Sequence, residues 1–283
     1  MKQNSRVVIL GGNSFVASSL INLLKKNKIN FLPIFKKNVD LTNTSSIQKL
    51  SKVLRKNDIL VFISAIAPVK NFKMLIQNLD MCKNVFSVLK KKKIDYLLYV
   101  CSDAVYSDSI KPITEQSETK PENLHGFMHL MREDILKLLN MKLCIVRPTL
   151  VYGSNDTHNG YGPNQFIRLA QSKKDLSLFG KGEERRDHIH VNDVGIAIYF
   201  LISKKYTGTV NLVTGSVNSF FKIAKKIKDI YKVKLSYLKR KGPMPHNGYR
   251  AFDNALLKKI LPNKTNFTDV LQWLESKEKY KKK

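Results

Sequence analysis

The sequence predicts an α/β protein in which helices cover a parallel sheet. Over about the first 150 residues, short apolar runs alternate with segments whose apolar residues recur at helical spacing. Such alternation is typical of consecutive strand–helix–strand units. A glycine-containing turn follows the first apolar run and leads directly into a helical pattern. We therefore expect a Rossmann-like, doubly wound parallel sheet with a smaller C-terminal lobe.

The boundaries follow from the same patterns. Strands are predicted at Val7–Leu10, Phe31–Phe35, Ile59–Ser64, Tyr96–Cys101 and Lys142–Val146, and helices at Phe15–Lys25, Ser45–Leu54, Met74–Lys90 and Gly126–Leu139. After the loop from Gly153 to Asn164 the elements become shorter, with a last helix near Asp269–Glu275. We expect a dinucleotide-binding domain at 1–153 and a substrate-binding lobe at 154–283, with about 188–215 returning to the first domain.

Composition places the chain among ordinary globular proteins. Its 283 residues are 43% hydrophobic and 25% charged, and no run approaches the roughly 20 apolar residues of a membrane span. The N-terminus passes into Val7–Leu10 without a cleavage-site pattern, so we expect a cytoplasmic protein. Cys82, Cys101 and Cys144 are few and scattered, and we expect reduced core thiols.

The net charge of +28 is the extreme feature of the composition. It would suit nucleic acid, but lysines cluster only at Lys90–Lys93 and Lys281–Lys283, and no aromatic residues interleave them as a stacking platform requires. Solvated helix faces are the favoured interpretation, and no specific nucleic-acid binding is expected. Attraction to anionic ligands or a membrane surface is the alternative.

A phosphate site is predicted at the turn after the first strand, which reads Gly11-Gly12-Asn13-Ser14-Phe15-Val16-Ala17. A turn between a strand and a helix N-terminus binds pyrophosphate through backbone N–H groups and the positive end of the helix dipole. Ser14 replaces the middle glycine of the usual pattern, and its hydroxyl would donate to a phosphate. The cofactor residues expected here are Gly11, Asn13, Ser14, Phe15 and Val16; the alternative is a tight turn without a ligand.

The end of the second predicted strand bears on which cofactor binds. An NAD site places a carboxylate there to hold the ribose 2′-hydroxyl, whereas this chain has Lys36 and Lys37. Two cations without a carboxylate favour the 2′-phosphate of NADP, with NAD as the alternative cofactor. The non-functional alternative is that both lysines are simply solvent-exposed.

Three further segments carry a family resemblance: Val39-Asp40-Leu41-Thr42, Phe62-Ile63-Ser64-Ala65-Ile66-Ala67 and Tyr99-Val100-Cys101-Ser102-Asp103-Ala104-Val105-Tyr106. In this order they resemble the extended short-chain dehydrogenase/reductases of the nucleotide-sugar epimerase/dehydratase group. The resemblance implies that Asp40 and Leu41 hold the adenine and that Ser64, Ala65 and Ile66 pass under the cofactor. It also implies that Ser102 is the catalytic hydroxyl, with Asp103 beside it as in dTDP-4-dehydrorhamnose reductases.

The resemblance continues through Arg147–Gly153, which is similar to the loop beside the nicotinamide and implies contacts from Pro148 and Thr149. The stretch Gly180–Val194 is similar to the one whose arginine clamps the sugar-nucleotide diphosphate, a role that falls to Arg186, and Arg240 looks like a second phosphate arginine. Guanidinium geometry suits bidentate phosphate binding. Surface arginines in polar loops are the alternative.

One departure from the family is serious. Members carry Tyr-x-x-x-Lys, whereas this chain has His125 and His129 at those two positions. Histidine exchanges protons near neutral pH, so altered acid–base chemistry is favoured, and a protonated His129 would depress the pKa of His125. An inert site and simple helix packing are alternatives. The pair lacks the glutamate of His-Glu-x-x-His and a third ligand, so no metal site is expected.

The loop before Asn164 is unusually polar and aromatic for a connection. Loops carry function disproportionately, so Tyr161, His158 and Asn164 are predicted to contact substrate or to act as substitute acids. An ordinary ordered turn is the alternative.

The sequence and the resemblance together predict an NAD(P)-dependent oxidoreductase, a reductase or an epimerase/dehydratase, that acts on a nucleotide-activated sugar in bacterial surface-polysaccharide or capsule assembly. The alternative is a catalytically inactive dinucleotide-binding protein with a regulatory or scaffolding role. The resemblance also implies a homodimer formed through Met74–Lys90 and Gly126–Leu139.

Overall fold

The computed structural model describes residues 5–156, 159–262 and 265–281. Its strands are β1 (Val7–Leu10), β2 (Phe31–Ile34), β3 (Ile59–Phe62), β4 (Tyr96–Val100), β5 (Leu143–Pro148), β6 (Leu150–Tyr152), β7 (Leu176–Phe179), β8 (Arg185–His190), β9 (Gly208–Leu212), β10 (Val217–Ser219), β11 (Leu235–Leu238) and β12 (Tyr249–Arg250). Its α-helices are α1 (Phe15–Lys26), α2 (Ser45–Val53), α3 (Phe72–Lys91), α4 (Leu124–Lys137), α5 (Pro163–Gln171), α6 (Val191–Lys204), α7 (Phe220–Tyr231), α8 (Ala255–Ile260) and α9 (Val270–Lys281).

Contacts between Cα atoms divide the chain into two compact units. Unit 1 contains Met1–Ser107, Ser117–Pro148 and Val194–Leu212. Unit 2 contains Asp108–Gln116, Thr149–Asp193 and Val213–Lys283. The chain thus alternates between the units, so neither unit is one continuous segment.

Unit 1 is built on a parallel sheet with the strand order β2-β1-β3-β4-β5-β9. The order reverses at β1, which pairs β2 on one side and β3 on the other. β1, β3 and β4 are buried along their whole length, as expected for strands covered on both faces. This is the predicted Rossmann-like α/β fold, and the reversal of strand order at β1 is the point where such sheets bind ligands.

Local sequence explains where the helices of unit 1 begin. Asn71 and Asn123 precede α3 and α4, and their side-chain oxygens accept the backbone N–H of Met74 and of Gly126 at 3.0 Å. Both helices therefore start two residues before the predicted positions. In the described ranges no helix is both long and apolar enough to cross a membrane.

Unit 2 has two small sheets and a separate core. One sheet has the order β10-β8-β12, with β6 also pairing β8, and the other joins β11 to β7. The core residues are largely aromatic and aliphatic side chains from α5, α7, α9 and these strands: Tyr152, Phe166, Ala170, Leu176, Leu178, Phe220, Ile223, Ala224, Ile227, Tyr231, Val233, Val270 and Leu274. The three cysteines of the chain all belong to unit 1 and are buried free thiols, which confirms the expectation for them.

Gly126 allows α4 to pack directly against the turn that follows β4. A Cβ atom at this position would stand 2.1 Å from the carbonyl oxygen of Ala104 and 2.6 Å from Cβ of Pro121. Real atoms do not approach so closely, so any side chain here pushes the first turn of α4 away from Ala104.

We expect Gly126→Ala to lower the melting temperature of the protein. Alanine favours a helix over glycine by up to about 1 kcal/mol, but overpacking costs about 1–3 kcal/mol, so the steric effect decides the sign. Calorimetry measures it. Gly242→Ala is the matched control because no heavy atom lies within 4 Å of the added Cβ. Equal melting temperatures for both variants would contradict the packing argument.

Candidate active site

The turn after β1 has the geometry that a pyrophosphate site needs. Gly11 has a φ of +91°, which residues with side chains rarely adopt, and a Cβ at Gly12 would lie 2.6 Å from Cβ of Pro33. Ser14 caps α1, and its Oγ accepts the N–H of Ala17 at 3.2 Å. The Ser14 hydroxyl proton is not used in this bond. The turn, with Asn13 exposed and Phe15 and Val16 opening the helix, therefore fits a dinucleotide phosphate at the helix N-terminus.

The residues after β2 correct one sequence expectation. Lys36 has a carboxylate beside it, because its Nζ lies 3.8 Å from Oδ2 of Asp40. Asp40 also accepts the N–H and the hydroxyl of Thr42 at 3.1 and 2.7 Å. Burial opposes the charge of Asp40, but the Thr42 bonds and Lys36 outweigh it and lower its pKa. Lys36 and Lys37 are both exposed, but among the described residues no carboxylate contact is found for Lys37.

The segment after β3 is held by a residue that the sequence analysis missed. The amide of buried Asn78 accepts the N–H of Ile66 and donates to the Ile66 carbonyl, both at 3.0 Å. The N–H of Ser64 donates to the Leu10 carbonyl, and Gly11 leaves no room for a side chain against Ser64. Ser64, exposed Ala65 and Ile66 thus form a fixed surface beside the glycine turn. In the sequence, the position of Asn78 on the apolar face of a predicted helix already indicates a buried, hydrogen-bonded side chain.

Ser102 opens a short 3₁₀ turn, Asp103–Val105, at the carboxyl end of β4. Its Oγ accepts the N–H of Ala104 at 3.2 Å and lies 3.4 Å from Oδ1 of Asp103. Ser102 is partly exposed and Asp103 is buried. Because Gly126 packs against Ala104, the first turn of α4 with His125 lies against the Ser102 turn.

His125 and His129 are neighbours on α4, as their spacing predicts. Their ring centroids are 4.7 Å apart with the rings nearly perpendicular. His125 is partly exposed, whereas His129 is buried and its Nδ1 lies 2.8 Å from the hydroxyl of Tyr99 on β4. The two imidazoles therefore differ in environment: His125 is partly exposed with a buried Nδ1, whereas His129 is part of the sheet–helix interface.

The expectation that a protonated His129 supplies a charge is wrong. Burial, followed by the charges of His125 and Arg132, holds the pKa of His129 well below 6.5. A positive charge in this dry interface loses its hydration, so His129 stays neutral at physiological pH. It differs in this respect from the lysine that the family resemblance implies at its position.

A buried ion pair, also missed from the sequence, joins β5 to α4. Arg147 donates through Nε and Nη2 to the two carboxylate oxygens of Glu133 at 2.8 and 2.6 Å. The guanidinium also lies 4.7 Å from the ring centroid of Tyr106, whose hydroxyl donates to Asn211 on β9 at 2.7 Å. Pro148 ends β5 next to this pair. The network fixes α4, and with it both histidines, against the carboxyl ends of the strands.

In unit 2 the predicted substrate residues fall into two groups, and His158 lies outside the described residues. Tyr161 packs against Phe166, Phe179 and Phe220 at centroid distances of 5.1, 5.2 and 4.9 Å. Its hydroxyl accepts the N–H of Phe179 at 3.2 Å, and burial raises its pKa, so the phenol keeps its proton. Arg240 donates to the Phe179 carbonyl at 3.2 Å, so Tyr161 and Arg240 meet at the exposed end of β7.

Asn164 corrects a second expectation, because it lies in the first turn of α5 and not in the loop. Its buried amide accepts the N–H of Gly153 at 3.1 Å and donates to the Val151 carbonyl at 3.3 Å. These bonds close the ends of the loop on each other. A substrate contact by this amide would have to compete with them.

Arg186 belongs to a second polar group on β8, β12 and the preceding loop. Its Nη1 lies 3.3 Å from Oε1 of Glu184, and Arg250, its partner in register on β12, donates to Asp108 at 3.0 Å. His246 also hydrogen-bonds Asp108. Thr149 is buried and donates to the Asp187 carbonyl at 3.2 Å. Burial, followed by Arg186 and Arg250, lowers the pKa of His246, while the carboxylate of Asp108 acts in the opposite direction.

Comparison with known proteins places this arrangement in a family. The family model for the NAD dependent epimerase/dehydratase family matches residues 7–213. The chain belongs to this family. A GDP-6-deoxy-D-talose 4-dehydrogenase from Aggregatibacter actinomycetemcomitans is 26% identical over 95% of this chain and 96% of its own length. The resemblance inferred from the motifs is thereby confirmed.

Solved structures of nucleotide-sugar enzymes share the fold. A GDP-L-fucose synthetase from Naegleria fowleri bound to NADP has a TM-score of 0.82 and 18% identity, covering 99% of this chain and 93% of its own. A UDP-glucuronic acid 4-epimerase from Bacillus cereus, in complex with UDP-glucuronic acid and NAD, has a TM-score of 0.82 and 19% identity, covering 98% and 99%. These similarities show the fold.

His188 of β8 makes unit 2 sensitive to acid. Its Nδ1 bonds the Arg186 carbonyl at 3.0 Å, and burial followed by Arg186 lowers its pKa to about 3. Folded His188 is therefore neutral, while the unfolded chain binds a proton near pH 6.5. Stability from this group is present above pH 6.5 and is lost as the pH falls from about 6.5 to about 3.

We expect the unfolding free energy to fall by about 1.4 kcal/mol per pH unit for this proton below pH 6, in addition to other groups. Denaturant titrations followed by fluorescence of Trp273, the single tryptophan and a residue of unit 2, measure it. His188→Gln should reduce the slope by that amount. An identical slope in the variant would show that His188 takes up its proton without unfolding.

Proposed function

We propose that this protein is an NAD(P)-dependent oxidoreductase that acts on a nucleotide-activated sugar, as a reductase or as an epimerase/dehydratase. The observation that carries the proposal is the group formed by Ser102, His125 and His129 at the carboxyl ends of the strands in unit 1. It lies on the same fold and in the same unit as a turn that fits a dinucleotide phosphate. The bound nicotinamide would supply the hydride; the residues of the chain supply binding and the proton.

Each residue has a role in this proposal. The backbone of the glycine turn and the Ser14 hydroxyl bind the pyrophosphate, Asp40 and Leu41 border the adenine, and Ser64–Ile66 lie under the dinucleotide. The Ser102 hydroxyl donates a hydrogen bond to the reacting oxygen, and partly exposed His125 exchanges the proton with it. His129, which is neutral, orients His125 and provides an N–H toward the cofactor. Asp103 orients the hydroxyl of Ser102, and Pro148 and Thr149 border the nicotinamide.

Unit 2 is proposed to select the nucleotide sugar. Arg186 binds the diphosphate through its guanidinium, and Arg240 with Tyr161 and exposed Phe179 offers a cation beside an aromatic face for the nucleotide. Nucleotide sugars appear in the names of the relatives and of the structural neighbours. A 4-dehydrogenase among the relatives supports the reductase branch of the proposal.

The proposed biological setting is the cytoplasmic synthesis of an activated sugar for a bacterial surface polysaccharide. A homodimer is proposed from a specific surface. α3 and α4 of unit 1 expose the apolar side chains Phe72, Ile76, Leu124, Phe127 and Met131, which are 38–70% accessible. An exposed apolar stripe across two adjacent helices is the usual mark of a protein contact, and a second copy of the same face would cover it.

The central test is turnover with His125→Phe. We expect the variant to reduce keto-sugar nucleotides with a kcat lower by about a hundred- to ten-thousand-fold, because the proton donor is lost, while cofactor affinity is retained. Oxidation of the reduced cofactor is followed by absorbance.

Leu138→Ala, an exposed change at the end of the same helix, is the matched control and should leave turnover unchanged. Wild-type turnover by His125→Phe would show that the proton comes from another group, with Tyr161 the next candidate. No turnover by the wild type across GDP-, UDP- and dTDP-linked keto sugars would favour the non-catalytic dinucleotide-binding alternative.

NADP is proposed as the preferred cofactor because Lys37 remains exposed where the 2′-phosphate would bind. We expect NADPH to bind about tenfold or more tightly than NADH, as one charge-assisted contact provides. Quenching of the cofactor's fluorescence gives both affinities. Lys37→Ala should narrow the ratio, and Lys26→Ala, at the end of α1, should not. Equal or tighter NADH binding would overturn the preference.

Arg186→Ala should weaken binding of the nucleotide sugar by about ten- to a hundred-fold while dinucleotide binding is unchanged, because a charge-assisted phosphate contact is lost. Isothermal titration with UDP- and GDP-sugars measures this. Arg185→Ala is the matched control, since the Arg185 guanidinium stacks 4.8 Å from the ring of Tyr249. An equal loss in both variants would mean that general positive charge, and not Arg186, binds the diphosphate.

A further inference from the structure

Arg132 is a buried cation whose side chain contacts no carboxylate among the described residues. It lies on α4 between the two histidines and Glu133, and its exposed fraction is 0%. The neighbouring carboxylate of Glu133 is taken by Arg147. Charges this deeply buried are normally paired, because their lost hydration must be replaced. The position of Arg132 therefore calls for a physical explanation.

The guanidinium of Arg132 is held between aromatic rings and backbone. Its Cζ lies 4.3 Å from the ring centroid of Phe62 and 5.2 Å from that of Tyr99. Nη2 donates to the Ser64 carbonyl at 2.9 Å, and Nη1 lies 3.7 Å from Sδ of Met128. Its buried Nε has no hydrogen-bond partner in the part of the chain that the structure describes. The ion thus sits on β3 and β4 and fixes the backbone at the proposed cofactor surface.

Tyr99 connects this cation to His129. The Tyr99 hydroxyl and Nδ1 of His129 are 2.8 Å apart in a fully buried contact. A phenol is a stronger acid than a neutral imidazole N–H, and an imidazole nitrogen is a stronger base than a phenol oxygen. The favoured arrangement has the phenol donating to Nδ1, which leaves the ring proton of His129 on Nε2.

The titratable groups that act on His129 and on its partner Tyr99 are His125, Arg132 and Glu133 on α4, Cys101 directly after β4, and Cys82 on α3. Arg147 on β5 pairs with Glu133. Burial raises the pKa of Tyr99 and of both thiols, so these three groups stay uncharged. Glu133 and Arg147 neutralise each other in their ion pair. Within this group of residues, and leaving aside His125 as the proposed proton donor, the Arg132 guanidinium is the charge that has no carboxylate partner.

We propose that Arg132 is a positioning residue: its guanidinium, packed on Phe62 and Tyr99, fixes the Tyr99–His129 hydrogen bond so that His129 presents an Nε2–H donor and no charge. The catalytic meaning of this donor rests on the proposed function, in which it faces the cofactor beside Ser64. A histidine acid near neutrality needs no adjacent ammonium group, whereas such a group would repel its proton. Together with burial and His125, which are the larger causes of its low pKa, Arg132 keeps His129 an uncharged donor.

The inference is tested on the ligand-free full chain by histidine-selective ¹⁵N labelling and long-range ¹H–¹⁵N spectra between pH 5 and 9. His129→Gln assigns the signal among the six histidines. In the wild type we expect His129 as the neutral Nε2–H form throughout. Arg132→Met should raise the pKa of His129, because a like charge is removed. Arg132→Lys, which keeps the charge, should leave the ring neutral, and Tyr99→Phe should produce a mixture of tautomers.

Several results would overturn the proposal. A charged or Nδ1–H ring in the wild type at pH 7 contradicts it directly, and only the assignment of the signal needs a variant, His129→Gln. An unchanged titration in Arg132→Met, or an unchanged tautomer in Tyr99→Phe, contradicts it as well. Turnover is measured separately: the expected spectra in a protein that turns nothing over support this inference and contradict the proposed function. Turnover by a protein whose His129 is charged would support the proposed function and contradict this inference.

Discussion

The paired Arg147 and Glu133 hold α4 to the sheet, and most of the geometry of the candidate site depends on that pair. Both ions are buried and joined by two short hydrogen bonds, an arrangement in which removal of one partner typically costs about 3–5 kcal/mol. The same guanidinium lies against Tyr106, which follows the Ser102 turn and bonds Asn211 of β9. This ion pair therefore connects α4 with β5, and through Tyr106 it also connects them with the Ser102 turn and with the edge strand β9. The distances among Ser102, His125 and His129 depend on these contacts.

The replacement of a tyrosine–lysine pair by two histidines is chemically consistent with this scaffold. A tyrosine acid needs a nearby permanent cation, because its own pKa of about 10 lies far from neutrality. An imidazole does not. The buried position of His129 accepts an uncharged ring, and the positive charge of the region is on Arg132, deeper in the interface. Loss of the two usual residues therefore does not by itself indicate loss of activity.

Local pattern was sufficient for most of unit 1. Continuous apolar runs located β1 and β4 within one residue, and the i, i+4 spacing of His125 and His129 gave their neighbourhood correctly. The predicted starts of α3 and α4 lie two residues too late, because the spacing of apolar residues does not reveal the asparagines that cap these helices. The charge state of His129 could not be predicted, since it depends on Tyr99, thirty positions away in the chain. The role of Asn164 likewise depends on which carbonyl its amide meets.

The interleaved chain has a consequence for synthesis on the ribosome. The sheet of unit 1 ends with β9, which pairs β5, yet some sixty residues separate the two strands and most of them belong to unit 2. A growing chain therefore carries β5 as an open sheet edge until residue 212 has left the exit tunnel, and open edges recruit other strands. The Arg147 side chain on β5 finds Glu133 in the chain already made, so the ion pair can hold β5 on α4 early, while the backbone groups of this edge stay open until β9 pairs with them.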